Sequence, residues 1–356
     1  MAQVQTVLGP IDARELGATM SHVHLTLAIG CWWSQAPTPE LAALAARPLS
    51  LENLWLARRN GLWVKDNLVQ GDLALTVREA REWKRAGGGG LVDMELPGIG
   101  RDVPALLRIA RETGLHVIAS TGWYTAGSHP PEVAELSEGA LRDRMLREIE
   151  KGIDDTGVRA GNIGEIGMSG MPSDPCFPVE EKVLRAAAQA QRQTRASLTV
   201  HPNVGVHGSR EQPADHLDHY LDVLEKQGAD LGRVYLSHMG FYPVETALRV
   251  LSRGVGYLSY DHFGHEEYYE MLGPGRGFPR DKEEVERVMQ LVEAGHADRV
   301  LVSNEIGWKT CYKAYGGFGY AHVLDHVVPW LRDCGASDAH IRTILVENPA
   351  RLHAIP

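Results

Sequence analysis

Two histidines one residue apart, His22 and His24 in Thr19-Met20-Ser21-His22-Val23-His24-Leu25, are placed to do chemistry together. Alternate side chains of a strand share a face, so the spacing aims both imidazoles into one space, as metal ligation from a strand requires. In a chain with 16 histidines one such pair proves little. Four more segments repeat the placement, each a short apolar run ending in a metal-competent side chain. They are Gly161-Asn162-Ile163-Gly164-Glu165, Leu198-Thr199-Val200-His201, Tyr235-Leu236-Ser237-His238 and Leu301-Val302-Ser303-Asn304-Glu305. Five strand ends therefore offer six ligands. Four imidazoles and two carboxylates exceed what one tetrahedral ion needs, so the expected centre holds two divalent ions, zinc by preference. Glu165 is expected to bridge them, His22, His24 and Glu305 to serve the more buried ion, and His201 and His238 the more exposed one. A hydroxide held between two such ions can attack an ester-type bond, and the residual positive charge stabilises the oxyanion that forms.

Side chains from five segments converge only if the strands carrying them are parallel and end together. Runs at about 17–25, 90–96, 115–121, 161–166, 196–201, 233–238, 255–261 and 299–304 read as eight strands. Helical patterns at 103–113, 139–154, 179–194, 212–227, 243–253, 281–294, 320–334 and 338–347 alternate with them. Eight strands with crossover helices predict an α/β fold, a (β/α)8 barrel spanning residues 1–356 as one domain, with its site at the carboxyl ends of the strands.

The interval 26–89 is too long for one crossover helix and carries Trp32, Trp33, Trp55, Trp63 and Trp83. It reads as a helical insertion packed on the barrel. A second insertion, 260–280, holds Asp261-His262-Phe263-Gly264-His265 and a Gly/Pro-rich stretch, the composition of a lid. Specificity is expected in the loops after the first, seventh and eighth strands, including Trp308, Tyr312 and Tyr315. Net charge is −10 without a basic run, which argues against nucleic acid or an anionic membrane as partner and for a small, uncharged, ester-like substrate. No stretch approaches the roughly 20 apolar residues of a membrane span, and the N-terminus has no signal-peptide pattern, so a cytoplasmic location is expected. The four cysteines, Cys31, Cys176, Cys311 and Cys334, lack CxxC spacing and read as reduced packing residues.

The chain resembles the phosphotriesterase family of the amidohydrolase superfamily nearly end to end. The match is carried by Gly9-Pro10-Ile11, Leu16 through Leu25, Leu91-Val92-Asp93, Gly98 through Val103, Thr121-Gly122-Trp123-Tyr124, Val302-Ser303-Asn304 and Asn348-Pro349-Ala350-Arg351. The resemblance implies a (β/α)8 barrel with a binuclear, usually zinc, centre and a homodimer. Three positions depart from it. Glu165 stands where many members carry a carboxylated lysine, as in the branch called phosphotriesterase-related or resiniferatoxin-binding proteins. Glu305 stands where the family has an aspartate, and Val23 where it has a glutamate between the histidines. The resemblance further implies that His262, in the Asp261-His262 pair, relays a proton or contacts substrate. Tyr124 would line the pocket as in lactonases, with Trp308 beside it. An acid expected just past the histidine of the sixth strand is missing, since Met239-Gly240-Phe241-Tyr242 follows His238. Glu305 and His262 are the expected catalytic pair, and by analogy with the family a lactone or carboxylic ester is the favoured substrate, with a phosphotriester or amide possible. The rival readings are a metal-containing ligand-binding protein of the same fold with little activity, and a mononuclear deaminase in which Glu165 has no metal role.

Overall fold

In the computed structural model, which describes residues 2–204, 215–266 and 277–355, eight parallel strands follow in chain order. They are Ala18–Val23, Gly88–Asp93, His116–Ile118 continued by Ser120–Thr121, Asn162–Gly167, Ser197–His201, Val234–Leu236, Tyr257–Tyr260 and Val300–Val302. Register is set by pairs such as Met20 with Leu91, Leu91 with Val117, Thr121 with Ile163, Ile166 with Val200, Leu236 with Leu258, and Tyr260 with Val302. The seam between the eighth and first strands is joined at their carboxyl ends. There the Glu305 N–H donates to the His22 carbonyl at 3.3 Å and the Ser303 hydroxyl donates to the same oxygen. The fold is a (β/α)8 barrel.

Strands buried on both faces read as continuous apolar runs rather than alternating ones. Leu91, Val92, Val117, Ile118, Leu198, Val200, Val234, Leu236, Val300 and Leu301 are accordingly all buried. Outside them lie the crossover helices. Val103–Thr113 shows why such a segment is helical: the Asp102 carboxylate caps it by accepting from the Ala105 N–H at 2.9 Å, and Gly114 ends it at φ +68°. A cap of this kind contributes about 1 kcal/mol. Val103, Leu106, Ile109 and Ala110 then fall on the face turned to the strands.

The interval between the first two strands differs from the sequence reading. It does contain a regular crossover helix, Leu73–Arg85, preceded by an insertion with the short helices Pro39–Ala45 and Leu54–Arg59. Its tryptophans divide. Trp83 is fully buried under the barrel helix and donates to the Gly90 carbonyl, and Trp63 sits in the insertion's own small core with Leu56 and Val64. Trp33 and Trp55 are exposed. Of the cysteines only Cys311 is buried and none forms a disulfide, so packing does not describe Cys31 and Cys334, which are exposed. The expected helix 320–334 is a wide turn, Val323–Val327, running into Val328–Asp333. Of the expected lid, residues 267–276 lie outside the described residues, as do 212–214 of the helix that begins by Asp215. Among the described residues no helix is long and apolar enough to cross a membrane.

A small antiparallel sheet, Gln3–Thr6, Gly9–Asp12 and Ala354–Ile355, which the sequence reading did not place, closes the amino ends of the strands. Gly161 permits the approach, because a Cβ there would stand 2.4 Å from the Gln5 carbonyl. Above it Ser197 donates to Asn162 at 2.7 Å, and His353 bridges Ser197 (3.0 Å) and Ser21 (3.2 Å) through its two ring nitrogens. Burial and the nearby Arg233 pull the His353 imidazole down to about 3. The floor's imidazole is thus neutral and has a partner at each nitrogen.

Candidate metal centre

His22, His24, Glu165, His201, His238 and Glu305 converge at the opposite end, and each is buried except Glu305, whose side chain is 15 % exposed. Among the described residues their facing atoms fall into four overlapping groups, two of which, His22, His238 and Asp261, and His238, His262 and Glu305, draw in Asp261 and His262; the other two resemble the sets expected from the sequence. His22, His24, Glu165 and Glu305 form one, and Glu165, His201 and His238 the other. Glu165 belongs to both. Its Oε1 lies 3.9 Å from His24 Nε2, and its Oε2 lies 3.6 Å from His22 Nε2, 3.0 Å from His201 Nδ1 and 3.6 Å from His238 Nε2. Glu305 Oε1 stands 3.6 to 3.8 Å from His22, His24 and His238. The Val23 side chain between the two histidines packs into the main core, so its replacement of the family's glutamate leaves this face unchanged.

Behind the ligand set, carboxylates fix the imidazoles. Asp261 accepts from His238 Nδ1 at 2.9 Å and lies 3.0 Å from His22 Nδ1, which is hydrogen-bonded to Ser237 Oγ at 3.2 Å, so one carboxylate faces a ring from each set. Glu95 lies 3.2 Å from His24 Nδ1 and also accepts from the Leu25 N–H. Such outer partners select which ring nitrogen faces the ion. Asp93, Glu95 and Asp261's double role were missed in the sequence. A signal was available for the first two: Asp93, which accepts from the Leu25 N–H, ends the second strand and Glu95 follows at the same one-residue spacing as the histidines of the first. Two candidate ligand positions, His238 at φ +59° and Glu305 at φ +34°, hold non-glycine backbone in the left-handed region. Departures of this type cost of order 1 to 3 kcal/mol each and persist where the surroundings enforce them.

Electrostatics describe a frame with too much negative charge. Burial favours neutral imidazoles, yet Glu165 and Asp261 outweigh it and push His22 up to about 9, while Glu95 and Glu305 push His24 up to about 10. His238 is raised well above its ordinary value against burial by Glu305 and Asp261. Despite their own burial, Glu165 and Glu305 are held well below the usual carboxylate range by the surrounding imidazoles. Buried carboxylates must be compensated, and protons on these rings occupy the role that cations would take. The set of His22, His24, Glu165 and Glu305 fits such a cation, whereas in the other set His201 Nδ1 is hydrogen-bonded to Glu165 Oε2 at 3.0 Å and to His238 Nε2 at 2.7 Å. His22 Nε2 is buried with no hydrogen-bond partner although it faces two carboxylates, and separations of 3.6 to 3.9 Å are too long for hydrogen bonds. They approximate the edge of a tetrahedron with metal bonds of roughly 2.1 Å, about 3.4 Å.

His262 meets Glu305 Oε2 through Nε2 at 2.8 Å. Burial pulls this ring down to about 4 although Glu305 opposes the shift. Its outer faces meet Phe278, stacked at 4.7 Å, and Phe241, edge-on at 5.0 Å. The acid absent from the sequence is thus replaced by an aromatic wall. Over the centre opens a cleft lined by Leu27, Ile29, Trp32, Leu62, Phe241 and Phe278. Tyr124 and Trp308 line it as expected, and the Tyr124 hydroxyl lies 3.3 Å from His201 Nε2. Tyr312 and Tyr315 do not. Tyr312 is buried with its hydroxyl on Thr76, and Tyr315 packs on the insertion core, because the eighth loop turns back over the Leu73–Arg85 helix.

Comparison with known proteins agrees with this geometry. A sequence profile described as the phosphotriesterase family matches residues 2–353. The chain is 35 % identical over 349 residues to the N-acetyltaurine hydrolase of Homo sapiens, covering 98 % of this chain and 96 % of the relative. Among solved structures, a resiniferatoxin-binding protein from Rhodobacter sphaeroides is 36 % identical with a TM-score of 0.90, covering 99 % of this chain and 95 % of that one. The phosphotriesterase homology protein from Escherichia coli, solved with phosphate in its active site, is 27 % identical with a TM-score of 0.75, covering 95 % and 99 %.

Proposed function

The chain belongs to the phosphotriesterase family, and from that premise we propose a two-ion hydrolase that opens a small neutral carboxylic ester, lactone or amide. His22, His24, Glu165 and Glu305 would hold one ion, and Glu165, His201 and His238 the other, with zinc as the expected metal. When bound, the ions would acidify a water and withdraw electron density from the substrate carbonyl. Glu305 is ionised and accepts the proton released on attack. His262, uncharged because it is buried, takes that proton at Nε2 and returns it to the leaving group. Phe241 and Phe278 keep water from the ring, so the proton has little other path. Tyr124 and Trp308 wall the cleft, and the Tyr124 hydroxyl, oriented by His201, is offered to a substrate oxygen.

The sequence favoured an ester or lactone. An amide, which the sequence also left open, gains support from the N-acetyltaurine hydrolase of Homo sapiens at 35 % identity. The apolar and aromatic cleft wall supports an uncharged group beyond the scissile bond. The whole chain acts as one barrel domain in this reading, in the cytoplasm, and pairs as a homodimer through apolar surface that includes Trp55, 50 % exposed.

One observation carries the proposal: Glu165 is shared by two donor clusters, and in the first of them gaps of cation size separate His22 and His24 from Glu165 and Glu305, with His22 Nε2 left without a hydrogen bond. The test is the metal content of protein purified without chelator, followed by turnover of an amide, an ester, a lactone and a phosphotriester before and after chelation. Two ions per chain and chelator-sensitive hydrolysis of a carboxylic substrate are expected. One ion with full activity favours the mononuclear reading, and two ions without turnover favour the ligand-binding one.

A further inference from the structure

His265 belongs to no ligand set and to no step above, yet it is 1 % exposed and reaches across from the seventh loop to the eighth strand. Its Nε2 lies 3.1 Å from the Asn304 carbonyl and 3.0 Å from the Glu305 carbonyl. Carbonyl oxygens only accept, so Nε2 carries the proton and shares it between the two. The two carbonyls bracket Glu305, whose backbone stands at φ +34°, a conformation its own propensity does not favour.

The loop that presents His265 is itself anchored. Its N–H donates to the His262 carbonyl at 2.9 Å, and the Gly264 N–H donates to Asp281 at 2.6 Å. The other oxygen of Asp281 accepts from His322 at 2.5 Å. Phe278 and Trp308 pack on the ring at 5.0 and 6.2 Å. The imidazole is therefore a rigid donor fixed from the seventh loop, and its target is the main chain on both sides of a glutamate that reaches toward three histidines.

We infer that His265 is the positioning residue for Glu305: its shared N–H holds the strained turn that aims this carboxylate at the candidate metal centre and at His262. A glutamate is one methylene longer than the aspartate of related proteins. The main-chain clamp sets where the longer arm begins, and packing of the ring alone would not do so. The inference rests on the proposal that Glu305 ligates an ion.

The variants separate clamp from packing. His265→Phe keeps an aromatic ring between Phe278 and Trp308 and removes the donor, and His265→Gln restores a side-chain N–H. Zinc affinity of the metal-stripped protein is measured by competition with a chromophoric chelator, alongside kcat and KM. For His265→Phe the affinity of one of the two sites is expected to fall ~10- to 100-fold, the range typical of lost outer partners. A comparable loss in kcat, little change in KM, and substantial recovery in His265→Gln are expected with it. In a Glu305→Ala background His265→Phe should add nothing, since residues acting through one another are not additive. Wild-type zinc affinity in His265→Phe, equal losses in both variants, or full additivity with Glu305→Ala overturns the inference. Should the phenylalanine variant not fold, His265→Leu against His265→Gln gives the same comparison. A wild-type chain that binds no zinc defeats the metal proposal instead, which keeps the two failures apart.

Discussion

The two ends of the barrel use the same residue types to opposite purpose. At the floor, Asn162, Ser197, Ser21 and His353 join in one hydrogen-bond chain, and the imidazole among them stays neutral. At the mouth, His22, His24 and His238 face Glu165 and Glu305 across gaps of 3.6 to 3.9 Å that hydrogen bonds do not fill, and two of the six positions hold strained backbone. A fully paired polar network rigidifies and specifies a core, whereas a partly paired one is costly unless something else completes it. The difference teaches where to look for function in a barrel: the end whose polar groups are least satisfied by the protein itself.

The sharpest break in this comparison is Glu165→Ala, which removes the one side chain common to both donor sets. We expect kcat/KM to fall by ~10³-fold or more, about 4 kcal/mol of barrier, with bound zinc dropping from two ions per chain. Elemental analysis with kinetics checks it, and two retained ions would undo the bridging role. At the floor, His353→Ala should do the reverse. It loses two hydrogen bonds and leaves a cavity, lowering unfolding free energy by about 3 kcal/mol in denaturant titrations while both ions remain.

The smallest effect is one of pH. In the unfolded chain His353 takes a proton near 6.5, but in the fold it stays neutral to about 3. Acid therefore favours unfolding, and this contribution is complete above about 6.5 and shrinks below it. Between pH 6.5 and 5 it loses roughly 2 kcal/mol. The mouth has the opposite sign in metal-free protein. His22 and His24, raised to about 9 and 10, contribute fully below about 6.5 and lose it as pH climbs through those values. Comparing denaturation of wild type with His353→Gln across pH 5 to 7 isolates the floor, and equal slopes in the two proteins would contradict it.

Legibility in the sequence followed the same division. His22, His24, Glu165, His201, His238 and Glu305 could be read because each ends an apolar run, and the strand period and barrel topology then bring run ends together. That Asp261 faces two rings could not be read, since it depends on how the sixth, seventh and first strands sit beside one another. The floor was invisible for a related reason: Asn162, Ser197 and His353 are ordinary polar residues until the last helix folds back under the strands. The Leu73–Arg85 helix was hidden within a tryptophan-rich stretch. Tyr312 and Tyr315 were misplaced because a loop's path carries no periodicity.

The seam of the barrel constrains how such a site can diverge. Glu305 and His22 join the eighth strand to the first through main-chain atoms, so natural variation can exchange the carboxylate without opening the cylinder. Loss or gain of one residue between Ser303 and Glu305 is another matter, for it would shift the N–H away from its acceptor and unfasten the last strand. Lineages are therefore free to retune chemistry by substitution here, while changes of length are driven outward into the loop beyond Gly307.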